Sequence, residues 1–580
     1  MAKFISIWKR NKDCVVTDDL LLKVCKHLEP DNIQANKPKI NEGKSWSYGI
    51  INPVSSVKVS ESGLMLGMVF GNYPHWDKVQ SPIPDGTFAL VRDSETQSEV
   101  ISDFAGSRCI WYYFDQDEMV VSSSQRAIIT YLGNFHWNEA AIPWMLSTGT
   151  LGPYLSWDKR ITLLPRNAML KLDKTTWNLS LTKREFEFIE GQESDPQLIK
   201  NVINSIESTF EKMDLKESSW SITLSGGKDS RGLFLLTKKK SQTKLPIPTF
   251  TYGLEGQDKL KHTDGDIAKK IANKYNASNQ YFSSFSITEN ENISTICERL
   301  LKAGEGRVDH IVAYLDGMQF WKYLFEHHIE GVLRGDVGFG FPLNIRFKNY
   351  IESQYYGQSY LCKEWTNLKL LPEHLLNQQI LTEPFLKKPT ESFDQYHDRF
   401  YIEFRVPIIL SALSDFKLSY VELVNPLLSR GILEQVQRLP THLRKGSPIW
   451  KPFIQKMEPD IPFANNNSFD LGLNEMEKTE FKHYLLNQIK QSPFLSDDLK
   501  ELALKEEKNK SGLKNKIKKL LRESSIKNFL TFKQRFLLWR LSGGSKRLPT
   551  LAKEKLRNRI FIIAEMQRIL HEDSKFILKS

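Results

Sequence analysis

Trp220–Lys238, WSITLSGGKDSRGLFLLTK, is the stretch that decides the fold of this chain. Alternating apolar residues end at Leu224 and lead into Ser225-Gly226-Gly227-Lys228-Asp229-Ser230. An apolar, helix-compatible run follows and closes on lysines. Glycines after a strand let the backbone turn tightly and approach a ligand. The stretch therefore predicts a strand, a tight turn and a helix.

The chemistry of this turn favours a bound anion. A helix that begins there directs unpaired N–H groups and its positive dipole end at a ligand, which suits a phosphate or pyrophosphate. Asp229 beside a polyphosphate would be repelled unless a cation lay between them, so we assign it as a Mg²⁺ ligand. Lys228 would add a direct phosphate contact. The spacing is not that of a Walker A motif. A Gly-Gly turn without a ligand is the alternative.

The length and composition of the chain are typical of a soluble globular protein. The 580 residues predict two to four domains, and no apolar run approaches the ~18 residues of a membrane span. Five scattered cysteines disfavour a disulfide framework or a cysteine zinc site and fit a cytoplasmic location. The net charge of +11 is diffuse and led by lysine, so we expect a solvated surface rather than a nucleic-acid interface.

The pattern of apolar and polar residues changes near residue 195. Up to that point short alternating strands and turns predict a mostly β region. From residue 196, helical patterns alternate with short apolar strands, which predicts an α/β region with a parallel sheet. Ligands of such sheets bind beyond the C-terminal ends of the strands.

Several motifs in a fixed order resemble the asparagine synthetase family, which includes the β-lactam synthetases and the lasso peptide cyclases. Asp85-Gly86-Thr87-Phe88-Ala89, Trp111-Tyr112-Tyr113 and Ser122-Ser123 precede the SGGKDS turn, in the order of that family. The resemblance implies an antiparallel β-sandwich like a class II glutamine amidotransferase over residues 1–195. It also implies an ATP-pyrophosphatase domain over 196–467, and a helical, lysine-rich extension over 468–580 remains.

One departure from this family concerns the N-terminus. Its glutaminase depends on a cysteine directly after the initiator methionine, whereas this chain has Ala2, and Cys14 is internal. A thiolate is the strongest nucleophile available for cleaving a carboxamide, and alanine cannot replace it. We therefore expect the first domain to be a structural partner that does not hydrolyse glutamine.

The resemblance also assigns nucleotide-binding residues at the ends of the parallel strands. Adenine and ribose would contact the backbone of Leu224, Tyr252 and Gly253, with ordinary strand-end packing as the alternative for Tyr252. Gly331–Phe341 is similar to the SGEGxDExFGG segment of the family, with Arg334 and Gly335 in its Ser-Gly positions.

In the same segment, Asp336 falls where the synthetases carry a glutamate, and Phe339 replaces an aspartate that completes their metal site. Either Asp336 binds the metal or another residue supplies the second ligand. A turn-forming aspartate is the third interpretation.

Two further residues receive catalytic roles from the resemblance. Glu403 lies in Tyr401–Pro407, a segment similar to a helix of the β-lactam synthetases. The glutamate of that helix helps to deprotonate the attacking amine, so the resemblance implies the same role for Glu403. A structural ion pair with Arg405 or a lysine is the alternative. Lys451, after Leu443-Arg444-Lys445-Gly446, matches the lysine that reaches the α-phosphate and the reacting carbonyl. A cation suits the negative charge that builds up there; a solvated lysine is the alternative.

The expected function is an ATP- and Mg²⁺-dependent ligase that activates a small-molecule or peptide carboxylate as an acyl-adenylate and transfers it to an amine or ammonia. Asparagine synthesis itself, a tRNA-modifying enzyme and a non-catalytic relative are the alternatives. We expect no membrane partner, and a homodimer or a partner in peptide processing stays open. The tail, with Lys508–Lys519 and the aromatic segment Phe529–Trp539, is interpreted as a solvated helical surface, a lid or a docking surface.

Overall fold

A computed structural model describes residues 3–11, 13–14, 16–43, 46–215, 219–240, 247–283, 291–341, 361–383, 385–465, 479–505 and 550–579. Within these ranges the chain is an α/β protein, with antiparallel sheets in its N-terminal region, a five-stranded parallel sheet later and helices toward its C-terminus. The predicted fold class is confirmed. The division into three domains stays a prediction.

The N-terminal region contains two antiparallel sheets. Its strands are β1 Lys3–Lys9, β2 Lys39–Asn41, β3 Ser47–Ile51, β4 Lys58–Ser60, β5 Gly63–Val69, β6 Gly86–Asp93, β7 Gln97–Ser102, β8 Trp111–Phe114, β9 Glu118–Ser122, β10 Thr162–Leu163, β11 Ala168–Asp173 and β12 Asn178–Lys183. The strand orders are β10-β8-β9-β1-β3-β2 and β12-β11-β7-β6-β5-β4. Alternate residues of both sheets, such as Phe4 and Trp8 of β1 and Leu64 and Leu66 of β5, share one apolar core, as a sandwich requires.

The helices of this region are α1 Asp18–His27, α2 Gln125–Leu132 and α3 Ala141–Thr148. They cover the outer face of the first sheet, because Ile5 and Ile7 of β1 belong to the same apolar cluster as Leu21 of α1 and Ile128 of α2. Burying one sheet face on the second sheet and the other on helices accounts for the nearly continuous burial of β1.

The parallel sheet has the order β15-β14-β13-β16-β17, with β13 Trp220–Thr223 in the centre. Its other strands are β14 Thr249–Gly253, β15 Asn279–Ser283, β16 Gly331–Leu333 and β17 Glu422–Val424. The C-terminal ends of β13, β14 and β16 lie at one edge, so the predicted turn and Arg334 follow neighbouring strands, and Tyr252 lies in the last two residues of β14, the strand between β13 and β15.

Helices surround the parallel sheet and complete the chain. They are α4 Asp195–Lys212, α5 Lys228–Lys240, α6 Asp264–Lys274, α7 Ile293–Gly304, α8 Gln319–Glu326, α9 Glu373–Leu376, α10 Phe393–Phe400, α11 Ser411–Leu418, α12 Arg430–Gln437, α13 Thr441–Arg444, α14 Trp450–Met457, α15 Thr479–Gln491, α16 Asp497–Leu504, α17 Lys553–Asp573 and α18 Phe576–Lys579. A π-helix, Tyr401–Leu410, joins α10 to α11. Among the described helices, none combines the length and apolar character that a membrane crossing needs.

Three buried arginine–carboxylate pairs connect the antiparallel region to the rest of the chain, and we call them the seam. Arg108 Nη2 donates to both oxygens of Glu422 on β17, at 2.8 and 2.9 Å. The other two pairs are Arg126–Asp573 and Arg166–Glu403, each 2.7 Å. Each partner is at most 3% exposed, so the pairs lie out of water.

The C-terminal helix α17 corrects the interpretation of the tail as a solvated surface. Ile560, Phe561, Ile562 and Ile563 are fully or almost fully buried, and they belong to the same cluster as residues of α1, α2 and α7. The average composition of residues 468–580 is lysine-rich, so it does not reveal this short apolar run. The segments Lys508–Lys519 and Phe529–Trp539 lie outside the described residues.

Candidate active site at the ends of the parallel strands

The predicted strand, turn and helix are present. β13 ends at Thr223 and α5 begins at Lys228, with Ser225, Gly226 and Gly227 between them. The two serines close the turn, because the Ser225 amide donates to Ser230 Oγ at 2.9 Å and the two hydroxyl oxygens lie 2.9 Å apart. A Cβ on Gly226 would lie 2.3 Å from Ala464 Cβ, which explains the glycine.

Gly226 is held on both sides by protein groups. Its amide donates to Asp264 Oδ1 at 2.9 Å, and its carbonyl accepts from the Ala464 amide at 3.1 Å. A carboxylate thus already occupies one position that the sequence assigned to phosphate. The N–H groups in the first turn of α5 lack acceptors within their own helix, so they are the better candidates for binding an anion.

Asp229 lies in that first turn and is one third exposed. Its Oδ1 accepts from the Trp450 indole at 2.8 Å, and its Oδ2 lies 3.3 Å from Lys228 Nζ. Burial raises the pKa of the Asp229 carboxyl above its usual value, and Lys228 and Trp450 offset part of that effect. The carboxylate is therefore incompletely neutralised and would gain from a further cation.

The turn after β16, which the sequence predicted to be glycine-rich, lies against the first turn of α5. A Cβ on Gly335 would lie 3.2 Å from Asp229 Cβ and 3.3 Å from the Ser230 amide nitrogen, so the two backbones approach closely. Arg334 binds both oxygens of Asp336, at 3.1 and 3.2 Å. Burial lowers the pKa of Arg334, but Asp336 raises it by more, so the guanidinium stays charged.

The residues fit Mg²⁺ at Asp229 better than at Asp336. Arg334 binds both oxygens of Asp336, whereas the cation beside Asp229 among the described residues is Lys228, at 3.3 Å from one oxygen. Phe339, which the sequence comparison aligned with a metal-binding aspartate of asparagine synthetases, is buried with its ring edge-on to Trp450 at 5.9 Å. No cluster of three or more His, Cys, Asp or Glu suits a metal within the described ranges. Mg²⁺ usually takes only one or two carboxylates beside phosphate and water, so a single carboxylate at Asp229 is compatible with that ion.

The residues assigned to adenine and ribose differ in accessibility. Leu224 is buried, its amide donates to the Phe250 carbonyl at 2.8 Å, and its own carbonyl accepts from Thr251 Oγ1 at 2.8 Å. Tyr252 is 37% exposed, and its ring lies 5.4 Å from that of Phe320. One face of the Tyr252 ring is therefore accessible for stacking with a nucleobase, whereas the backbone N–H and C=O groups of Leu224 are already hydrogen-bonded within the sheet. A Cβ on Gly253, which ends β14, would lie 2.5 Å from the Tyr281 hydroxyl, so a side chain there would require Tyr281 to move.

The carboxylate of Glu403 is bound to buried groups of the antiparallel region. Its Oε1 accepts from Arg166 Nη1 and from the Phe186 amide, both at 2.7 Å, so the carboxylate belongs to the seam. Arg405 instead lies over the ring of Tyr401 at 6.0 Å. The structural alternative is thus favoured, but the partner is Arg166, which sequence spacing alone did not indicate.

The backbone of Lys451 lies close to the Ser225–Ser230 turn. It follows Trp450, which bonds to Asp229, and its Nζ lies 5.6 Å from the ring centre of Phe463. Phe463 precedes Ala464, the residue that bonds to Gly226. The Lys451 side chain is exposed, so it is free to reach a ligand above the turn.

Sequence reasoning missed two groups at this edge. Trp450 bonds to Asp229, and only its place next to Lys451 hinted at a role. Lys417 is 4% exposed, and Arg334 and Asp336 are the charged groups that act on it. A lysine within the apolar helix pattern of Ser411–Leu418 was the available signal.

No protein-family model matches the sequence, and no curated protein matches it either. Among solved structures, the chain is similar to glutamine phosphoribosylpyrophosphate amidotransferase from B. subtilis complexed with ADP and GMP, with 10% identity, a TM-score of 0.20 and coverage of 49% of this chain and 91% of that one. It is also similar to the allosteric regulatory enzyme of purine biosynthesis, with 11% identity, a TM-score of 0.21 and coverage of 50% and 66%. Likeness at this level supports neither a site nor an activity.

Proposed function

We propose that the protein is an ATP-dependent carbon–nitrogen ligase of the asparagine synthetase type. It would activate a carboxylate as an acyl-adenylate, release pyrophosphate and transfer the acyl group to an amine or ammonia. The observation that carries this proposal is the close approach of the Arg334-Gly335-Asp336 turn to Asp229 at the start of α5. Two chain segments far apart in sequence thereby place cations, a carboxylate and helix N–H groups at one strand edge.

The residues at this edge would divide the first step between them. The first turn of α5 and Lys228 would bind the departing pyrophosphate, because N–H groups and a cation favour an anion there. Asp229 would hold Mg²⁺, which supplies neutralising charge to the phosphates. The exposed face of Tyr252 would take the adenine by stacking. The substrate carboxylate would then attack the α-phosphorus.

Lys451 would act at both charged stages. Negative charge builds on the phosphorus as the carboxylate attacks, and on the carbonyl oxygen as the amine attacks. An exposed lysine that starts beside Phe463, close to Gly226, can follow that charge from one centre to the next. The amine supplies the new C–N bond, and AMP leaves with the oxygen of the broken mixed anhydride.

Carboxylate-dependent exchange of labelled pyrophosphate into ATP tests the proposal. A panel of amino acid, dicarboxylate and peptide carboxylates should contain at least one that supports exchange in the presence of Mg²⁺. Nucleotide binding without exchange for any carboxylate would contradict the ligase and favour a non-catalytic relative. Exchange that requires tRNA would favour a tRNA-modifying enzyme.

Glutamine should not serve as the nitrogen donor. The N-terminal strand β1 begins at Lys3, which is buried and donates to the Ala303 carbonyl at 3.2 Å. The sequence offers no cysteine directly after Met1. Incubation with glutamine should therefore yield no glutamate above a boiled control, and release of glutamate would overturn this part of the proposal.

A further inference from the structure

Trp450 is a buried tryptophan that donates its indole N–H to the carboxylate assigned to Mg²⁺. It begins α14 and is 1% exposed, and its Nε1 donates to Asp229 Oδ1 at 2.8 Å. A buried indole N–H usually finds an acceptor. Here the acceptor is a side chain that is one third exposed and lies in the first turn of α5. The bond therefore connects the apolar core to the candidate metal ligand.

Three neighbours fix the position of the Trp450 ring. A Cβ on Gly232 would lie 2.2 Å from Trp450 Cζ2, so the ring lies directly on the backbone of α5. The ring of Phe339 is edge-on to it at 5.9 Å, and the ring of Phe453 lies 6.1 Å away. Gly232 follows Asp229 by three positions, so both residues lie on one face of α5. Packing thus holds the indole in the place from which it bonds to Asp229.

The indole bond gives the two oxygens of Asp229 different surroundings. Oδ1 accepts from Trp450, whereas Oδ2 lies 3.3 Å from Lys228 Nζ. A hydrogen bond donated to a carboxylate favours its charged form, and it also restricts the rotation of the carboxylate. The bond to Oδ1 therefore sets the direction of Oδ2, the oxygen that faces a cation.

We propose that Trp450 is a positioning residue that orients Asp229 for Mg²⁺. This inference rests on the proposed ligase function, in which Asp229 holds that ion. Groups that hydrogen-bond to a metal ligand fix its orientation, and their loss typically lowers metal affinity or activity about 10–100-fold. Trp450 also precedes Lys451, so the same bond holds the start of α14, which carries Lys451, against the helix that carries Asp229.

Calorimetric titration with ATP, in Mg²⁺ and in EDTA, tests this role without a carboxylate substrate and without turnover. Trp450→Phe keeps an aromatic ring but removes the N–H. Its affinity for ATP in Mg²⁺ should fall about tenfold or more, whereas its affinity in EDTA should stay within about twofold of native. An equal fall in both conditions would show that Trp450 acts through packing alone, and an unchanged affinity in Mg²⁺ would show that the bond has no role. Either result would overturn the proposal.

Trp8→Phe is the matched control. Trp8 is also fully buried, and its Nε1 donates to Asp93 Oδ1 at the same distance of 2.8 Å. Asp93 ends β6 in the antiparallel region and is paired with Lys174 at 2.7 Å. Loss of this bond should leave the affinity for ATP in Mg²⁺ within about twofold of native, because its carboxylate holds no metal ligand role. A fall as large as that of Trp450→Phe would mean that losing any buried indole bond weakens binding, which would contradict a specific role.

A double variant shows whether Trp450 acts through Asp229. In Asp229→Asn the charge that binds Mg²⁺ is already gone, so adding Trp450→Phe should change the affinity for ATP in Mg²⁺ by less than about twofold further. A full additional loss would place the effect of Trp450 elsewhere and overturn the proposal.

The indole N–H resonances provide a measurement on the native sequence. Among the 13 tryptophans, selectively labelled with ¹⁵N, one indole signal should move both on addition of MgATP and in Asp229→Asn. That signal should be the one missing in Trp450→Phe, and the signal missing in Trp8→Phe should not move. If no indole signal responded to both changes, the proposal would fail.

Pyrophosphate exchange separates this inference from the proposed function. With a carboxylate that supports exchange, Trp450→Phe should need about tenfold more Mg²⁺ for half its maximal rate, and that maximal rate should stay within about threefold of native. A reduced maximal rate with an unchanged Mg²⁺ requirement would contradict the positioning role. Absence of exchange in the native protein, together with the expected binding results, would instead remove the ligase function and leave the positioning of Asp229 in place.

Discussion

The seam and the strand edge both concentrate charged residues, but they use them differently. In the seam, Arg108, Arg126 and Arg166 each meet a carboxylate and every partner is buried. At the strand edge, Asp229 is one third exposed, Lys417 lacks a carboxylate partner in the described ranges, and Lys451 faces solvent. Completed pairs hold the two halves of the molecule together. Incomplete pairing leaves groups available for a ligand, and this is the distinction that the following predictions test.

The largest expected effect is on stability, at the seam. Arg108→Met would leave Glu422 buried without its partner, which costs about 3–5 kcal/mol when a buried pair is broken on one side. Urea unfolding followed by fluorescence should show this loss.

The double variant Arg108→Met/Glu422→Met should recover most of that stability, because no buried charge is then left unpaired. A double variant as unstable as the single one would mean that the pair acts through packing, and the contrast with the strand edge would weaken.

At the strand edge the expected effect is on activity instead. Asp229→Asn keeps an oxygen that can accept from Trp450, so the fold should persist, but the charge for Mg²⁺ is lost. Pyrophosphate exchange should fall about 10²–10³-fold, as when one electrostatic contact to a transition state is removed. Circular dichroism and the unfolding midpoint should stay close to native.

Asp266→Asn, in the first turn of α6, is the matched control, because the Asp266 carboxylate accepts from Lys270 Nζ and from the His262 amide, at 2.8 Å each, and not from the SGGKDS turn. It should leave exchange within about twofold of native, in line with the small contribution of a surface ion pair. Equal loss in both variants would argue against a specific role of Asp229.

A smaller effect should appear in the pH dependence of stability. Burial raises the pKa of Asp573, but Arg126 and His27 lower it by more, so the net pKa lies below the usual value. A carboxylate with a lowered folded-state pKa stabilises the protein above its unfolded-state value of about 3.9 and loses that contribution as pH falls through the folded value.

The measurement is urea unfolding of native protein and Asp573→Asn from about pH 6 down to about pH 3. The stability difference between them should be largest at pH 6 and shrink as the pH falls. A difference that stayed constant across this range would show that Asp573 contributes through contacts unrelated to its charge.

The smallest effect concerns the exposed ring at the end of β14. Tyr252→Ala should weaken ATP binding about tenfold, since a stacked aromatic contact contributes roughly 1 kcal/mol beyond its buried area. Tyr252→Phe should bind like native, because the ring face is retained. Calorimetric titration with ATP checks both. An affinity unchanged in the alanine variant would support the alternative of ordinary strand-end packing.

The sequence was sufficient where neighbours in the chain decide the structure. The alternation up to Leu224 and the glycines after it predicted the strand, turn and helix, whereas the approach of the Arg334 segment to the first turn of α5 came from the structure. The partner of Glu403 could not be read in the same way, because Arg166 lies 237 positions away. The burial of α17 was missed although Ile560–Ile563 formed an apolar run, because the average of the tail is dominated by lysine.

Lys417 shows a further limit of sequence reasoning. A lysine in an apolar helix normally pairs or extends to solvent, and the apolar pattern of Ser411–Leu418 marks the position without showing which of these applies. Its isolation follows from the turn after β16 and from the rings on α8, which are joined to it only by the fold. The surroundings of such a buried lysine can therefore be read only from the structure.

Hydrogen exchange of the amides in Ser225–Ser230, with and without MgATP, tests the central claim most directly. If the turn and the first turn of α5 bind the phosphates, these amides should exchange more slowly in the presence of nucleotide, and the protection should disappear in Asp229→Asn. The seam amides around Glu403 should be unaffected. Nucleotide that binds without protecting Ser225–Ser230, or that protects another part of the chain, would contradict a phosphate site at the exit of β13.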